Sequence, residues 1–142
     1  MAVDPKTNQP IQPGYPGVGL RNVGSYQVSG HPFITGSLMA TDEEVKVSFP
    51  YVTKNLTVIA SGSSASMRMH FNSTSSAGNV ITGKHYISID SDEDSVTFDT
   101  RCKEVYISCV NGGGDRGFEL LATLTNIPVR QMYELTGSGL TE

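Results

Sequence analysis

The stretch Phe118-Glu119-Leu120-Leu121-Ala122-Thr123-Leu124 carries apolar residues at 118, 120, 122 and 124, with Glu119 and Thr123 between them. A period of two marks a strand with one buried face, because successive side chains of an extended chain point to opposite sides. The same beat recurs towards the N-terminus at Val105, Ile107, Cys109; at Val96, Phe98; at Ile87, Ile89; at Met67, Met69, Phe71; at Leu56, Val58, Ala60; and at Val45, Val47, Phe49. Lys46, Ser48, Thr57, Arg68, His70, Ser88, Thr97 and Ser108 fill the alternate positions, which is the inward-apolar, outward-polar pattern of antiparallel strands with one wet face. Seven such runs, separated by Gly, Ser, Asn and Asp, predict an all-β fold: an antiparallel β-sandwich or jelly roll of about seven to eight strands.

Five residues break the beat. Ile59, Tyr86, Tyr106, Val110 and Leu121 put bulky apolar groups on the outward face. Spread over several strands, they predict that part of that face is covered by another segment or another subunit.

Length and charge narrow the classes. The 142 residues suit one domain, large enough to bury a core without a disulfide or metal staple. A formal net charge of −4 and a pI near 5.3 lack the basic footprint of a nucleic-acid binder. No apolar run reaches bilayer-spanning length, and Met1-Ala2-Val3-Asp4-Pro5-Lys6 has neither the basic nor the apolar region of a secretory signal, so synthesis in the cytoplasm is expected. The sequons at Asn55-Leu56-Thr57 and Asn72-Ser73-Thr74 matter only in a secretory pathway. If residues 102–109 were one strand, Cys102 and Cys109 would lie on opposite faces, roughly 23 Å apart, too far to bond to each other.

Three regions follow from composition. Residues 1–40 hold five of the seven prolines together with Tyr15, Val18, Leu20, Val23, Tyr26, Val28, Phe33 and Ile34. Proline and glycine at this density exclude a long helix or a central strand, while the apolar content is too high for a solvated tail. An extended N-terminal arm laid over a surface is expected. Residues 41–126 form the β-body, and residues 127–142 a C-terminal segment ending in Gly and Ser.

Candidates for chemistry are sparse. Asp90, Asp92, Glu93 and Asp94 could offer hard oxygen ligands to calcium, but they lack the Gly and the final Glu of the helix-loop-helix calcium pattern, and a solvated turn is expected. His31, His70 and His85 lie on separate elements without a nucleophile or carboxylate signature, and ordinary surface or half-buried histidines are expected. The glycines at 112–114 sit between two strands, as in a hairpin loop rather than a phosphate cradle. No catalytic, metal or cofactor site is expected, and the chain is read as a non-enzyme.

The stretch from Leu20-Arg21-Asn22-Val23-Gly24-Ser25-Tyr26 to His31-Pro32-Phe33-Ile34-Thr35-Gly36-Ser37, with the ending Leu135-Thr136-Gly137-Ser138-Gly139-Leu140, resembles small virion structural proteins of tailed bacteriophages, marine and cyanobacterial ones in particular. The resemblance implies a capsid decoration or cement protein on the virion surface that binds the major capsid protein, often as a homotrimer. Such a protein needs a rigid body and adhesive segments, with contact residues expected at Tyr15, Val18, Leu20, Val23, Tyr26, Phe33, Ile59, Tyr86 and Tyr106. A second expectation is a receptor- or carbohydrate-binding sandwich of the tail-fibre type, in which Tyr51, Tyr86 and Tyr106 stack on sugars and the 90–94 loop holds calcium. The absence of Trp counts against it.

Overall fold

The structure is a computed structural model that describes residues 19–20, 23–26, 32–62, 66–74, 80–81, 83–89, 94–110 and 116–133. Among these residues eight strands are present: β1 (Pro32–Leu38), β2 (Glu44–Ser48), β3 (Tyr51–Ser61), β4 (Met67–His70), β5 (Ile87–Ile89), β6 (Ser95–Phe98), β7 (Glu104–Cys109) and β8 (Gly117–Pro128). They form two four-stranded antiparallel sheets, ordered β1-β8-β3-β6 and β2-β7-β4-β5. The fold is an all-β sandwich. Short 3-10 turns lie at Val23–Tyr26 and Val129–Gln131. Among the described residues no helix is long and apolar enough to cross a membrane.

The pairing is nested. The first strand pairs with the eighth, the second with the seventh, the third with the sixth and the fourth with the fifth. The chain therefore behaves as one long hairpin, closed at β4 and β5, whose two arms wrap into facing sheets.

The alternation read from sequence places the core. Leu56, Val58, Ala60, Met67, Met69, Val105, Ile107, Cys109, Phe118, Leu120, Ala122 and Leu124 are all buried between the sheets, with Val45, Val96, Phe98 and Phe71 packed at their margin. Full burial of an aliphatic side chain of this size contributes about 1.5–3 kcal/mol. Phe33 and Phe49 meet edge to face, 5.2 Å between ring centroids, which joins β1 to the residue just after β2.

The alternation fails at the start of β3. Between Tyr51 and Asn55 the pairing of β3 with β8 shifts register twice, and an irregularity of this kind rotates side chains from one face to the other. Val52 and Thr53 are thereby both buried, and Val52 joins a second small core with Ile127 and Met132. Leu20 and Tyr26 pack against this second core from the N-terminal side.

Residues 32–38, read within the proline- and glycine-rich arm, are the edge strand β1 of the first sheet. Pro32 stands at its first position, where a missing N–H is tolerated. At the other end, β8 runs on to Pro128 and the 3-10 turn to Gln131.

Candidate functional site

Residues directly opposite each other on neighbouring strands share a face. On the outer face of the first sheet Ile34 lies opposite Leu121, Leu121 opposite Thr57, and Thr57 opposite Thr97, one row across all four strands. The β3 and β6 half of this face is polar and internally bonded. The Thr57 and Thr97 hydroxyls are 2.8 Å apart, and the Asn55 side-chain amide donates to Asp99 at 2.7 Å. On the β1 and β8 half Ile34 and Leu38 are each 73% exposed and Leu121 46%, and the exposed Glu119 lies opposite Gly36 between them. Ile59, one row along, is half-buried. Large apolar side chains left exposed on and beside an edge strand mark a candidate contact surface.

The outer face of the second sheet is different. Tyr106 lies parallel to the His70 ring at 6.0 Å between centroids, with the Lys46 ammonium 5.8 Å from the centroid of its ring. Tyr86 is faced by the Arg68 guanidinium at 4.4 Å. Lys46 also pairs with Glu104 at 2.7 Å, and the hydrogen bond to Glu104 raises its pKa. The tyrosines that break the alternation here are thus engaged by cationic and aromatic neighbours of their own chain.

His70 corrects an expectation. It is fully buried rather than at the surface, because the chain after β4 turns back over the sheet. Its Nδ1–H donates to the Asn72 carbonyl at 2.7 Å, which leaves Nε2 to accept from the Ser108 hydroxyl at 3.0 Å. Glu44 completes the arrangement. Its carboxylate accepts from the Ser73 hydroxyl at 2.6 Å, the Thr74 amide at 3.0 Å and the Thr74 hydroxyl at 2.8 Å. Burial alone would raise the pKa of Glu44, but these three donors hold it below the usual carboxylate range. Burial depresses the pKa of His70, opposed in part by the Asn72 carbonyl and by Glu44. At neutral pH the ring is uncharged, and the 3.8 Å approach of Nε2 to Glu44 is not an ion pair. Serine donating to histidine is the geometry of an activated nucleophile, yet the carboxylate sits on the Nε2 side and spends itself on residues 73 and 74. The network fastens residues 72–74 across β7 to β2. Sequence reasoning passed over Glu44, since no pattern in the chain shows that Ser73 and Thr74 return to it.

The N-terminal residues are pinned near the second core. The Arg101 guanidinium lies 5.5 Å from the Tyr26 ring centroid, and it donates to the Tyr26 hydroxyl at 2.8 Å and to the Leu20 carbonyl at 3.3 Å. Tyr26 in turn donates its hydroxyl hydrogen to the Leu20 carbonyl. Of the contact residues expected from sequence, Leu20, Tyr26 and Phe33 face their own chain, Val23 is 86% exposed, and Ile59, Tyr86 and Tyr106 are half-buried. Tyr15 and Val18 lie outside the described residues, as do His31, Asp90, Asp92 and Glu93. Asp94 is exposed, and its backbone carbonyl accepts from the Ala60 amide. Among the described residues no cluster of His, Cys, Asp or Glu could hold a metal ion.

Two further expectations need correction. Ile87 is exposed rather than buried, because it opens a three-residue edge strand with one neighbour to shield it. Cys102 is not on the same strand as Cys109: β7 begins at Glu104, so the odd-spacing argument fails and both free thiols lie in the one core. Burial pushes the Cys102 thiol up to about 11, the Thr53 hydroxyl 3.2 Å away countering it in part.

No protein-family profile matches this chain, and no curated protein matches it.

Proposed function

We propose that this chain is a structural virion protein, a capsid decoration or cement protein that binds the major capsid protein lattice and stabilises the head. The observation that carries this reading is the exposure of three large apolar side chains, Ile34, Leu38 and Leu121, around Glu119 at the edge of the first sheet. A cement protein works by burying surface across boundaries between capsid subunits, and a sandwich with exposed apolar side chains along one sheet edge is suited to that task. We further propose that the nested pairing of β1 with β8, β2 with β7, β3 with β6 and β4 with β5 is that of a jelly roll, an architecture recurrent in viral capsid and lectin domains. The resemblance of residues 20–37 and 135–140 to small phage virion proteins supports the same reading. Its partners are then the major capsid protein and two further copies of itself, on the capsid surface, after synthesis in the host cytoplasm.

The carbohydrate-binding alternative finds less support, since the Tyr86 and Tyr106 rings are already faced by Arg68 and by His70 and Lys46. The test is co-sedimentation of the purified chain with capsids that lack it, beside light scattering of the free protein. Saturable binding is expected, with the free protein trimeric. A chain lacking residues 1–30 is expected to bind more weakly, and undiminished binding by that truncation would remove the arm from the docking mechanism. Failure of the whole chain to co-sediment would overturn the assignment.

A further inference from the structure

We propose that the outer edge of β1 takes up one extended strand from a partner protein, a strand with a lysine or arginine opposite Gly36 and an apolar residue two positions to either side of it.

The backbone leaves that edge open. The Met39 amide, one residue past β1, donates at 2.8 Å to the carbonyl of Arg116, one residue before β8, and this pair continues the register in which Leu38 faces Gly117. In an antiparallel ladder residues alternate between exchanging hydrogen bonds with the neighbour and turning both backbone groups away from it. Phe33, Thr35 and Ser37 therefore bond to β8, while Ile34, Gly36 and Leu38 turn their N–H and C=O groups outward. The Ser37 hydroxyl donates to the Leu38 carbonyl at 2.9 Å, which agrees with that carbonyl pointing off β8. β1 ends the first sheet, and among the described residues no strand pairs with its outer side.

The other sheet edges are better guarded. Edge strands are ordinarily protected by shortness, by charge or by proline. β5 and β6 have three and four residues, and β2 carries Lys46 at its middle. β1 has seven residues, none of them charged, and its one proline stands at the first position.

The side chains define the strand that fits. Directly opposite residues share a face, so an antiparallel strand added to β1 sets its own side chains beside Ile34, Gly36 and Leu38 on the outer face. Ile34 and Leu38, each 73% exposed, call for apolar partners. Between them Gly36 offers no side chain, and the exposed Glu119 stands behind it on β8, with no cation paired to it among the described residues. Neighbouring strands lie about 4.8 Å apart, so a residue opposite Gly36 is about 10 Å from Glu119, a gap that a lysine or arginine side chain and the carboxylate span together. A second copy of β1 is the poorer occupant. Paired about Gly36, it would bring another glycine and another Glu119, and no cation. The inference stands on β1 and Glu119 and does not require the virion assignment.

The test titrates the peptide acetyl-Thr-Ile-Thr-Lys-Thr-Val-Thr-amide into the full chain labelled with nitrogen-15. The amide signals of Ile34, Gly36 and Leu38 are expected to move downfield together, and those of Phe33, Thr35 and Ser37 far less, since only the first set gains hydrogen bonds. Glu in place of the peptide's Lys should weaken binding several-fold, and Glu119→Lys should reverse that preference. Ile34→Pro removes an outward N–H and no bond to β8, so it should abolish binding while the signals of β2 to β7 stay in place as a control for folding. Ile34→Ala, which keeps the N–H, should bind at reduced strength. No shift on β1 at millimolar peptide, or equal shifts in both sets of amides, would overturn the proposal, as would an unchanged preference for Lys in folded Glu119→Lys. Light scattering covers the remaining case: a chain that associates with itself and is made monomeric by Ile34→Pro would assign the edge to a second copy, which also overturns it.

Discussion

Ile34 and Leu121 stand directly opposite each other on the outer face of the first sheet, and neither is covered by any described part of the chain. Exposed positions of this kind tolerate substitution. Ile34→Lys and Leu121→Lys are each expected to change the unfolding free energy by no more than about 0.5 kcal/mol, read from urea midpoints. The double variant should nevertheless lose co-sedimentation with capsids. Normal binding by a folded double variant would move the docking face elsewhere.

Gly36 and Gly117 mark a second relationship across β1 and β8. A Cβ at Gly36 would fall 2.7 Å from the Phe118 carbonyl oxygen, and one at Gly117 would fall 2.7 Å from that of Ser37. Both obstacles are backbone, so the strands themselves must part. Gly36→Ala is expected to destabilise by about 1–3 kcal/mol, as forced overpacking does elsewhere, and to speed amide exchange along β1. An unchanged urea midpoint would show that β1 is held less tightly than its register implies.

Acid should weaken the fold through His70 and Glu44. Both have folded pKa values below their unfolded ones, so the unfolded chain takes up protons more readily as pH falls. The His70 contribution is present above about pH 6.5 and is lost as pH falls below it; the Glu44 contribution is present above its unfolded value near 4.5 and is lost below that. Urea midpoints measured from pH 8 to pH 4 should fall in that order. In His70→Gln the slope between pH 7 and pH 5 should flatten, on top of a loss of about 1–3 kcal/mol from the disrupted network. A wild-type slope retained in the variant would shift the cause to other groups.

The two thiols should be silent in the native protein. Cys102 and Cys109 are each 1% exposed, and burial keeps Cys102 protonated at neutral pH. An aromatic disulfide reagent should therefore label neither at an appreciable rate until urea unfolds the chain, when both react. Rapid labelling of one thiol under native conditions would reveal local opening near it.

Much of this architecture is legible in the sequence because a period of two is a direct print of a one-sided strand. Leu56, Val58 and Ala60, or Phe118, Leu120 and Ala122, announce both the strand and its buried face. Pro32–Leu38 escapes the same reading because it lies among prolines and glycines and its apolar residues Ile34 and Leu38 face outward. The burial of Val52 beside Thr53 depends on a register shift, a property of the pair β3 and β8 and of neither strand alone. His70 and Ser108 look like outward polar residues, and only the return of residues 72–74 to Glu44 buries them. Contact surfaces are harder to read still. Tyr86 and Tyr106 stand out as apolar on a polar face, yet Arg68, His70 and Lys46 occupy them, while Ile34 and Leu38, which no alternation singles out, are the bare ones.

The nested pairing also sets an order of events during biosynthesis. β8, the last of the eight strands, lies at the centre of the first sheet between β1 and β3. While the ribosome is still making it, β1 has no partner strand among the described residues, and β3 has β6 alone among them. The first sheet cannot close until residue 128 has left the exit tunnel, so its completion waits on the last residues of β8. Non-local pairing of this kind is expected to take milliseconds to seconds. For that interval the apolar edge of Ile34 and Leu38 is open to any neighbouring nascent chain, which makes the folding yield sensitive to how densely copies are synthesised together.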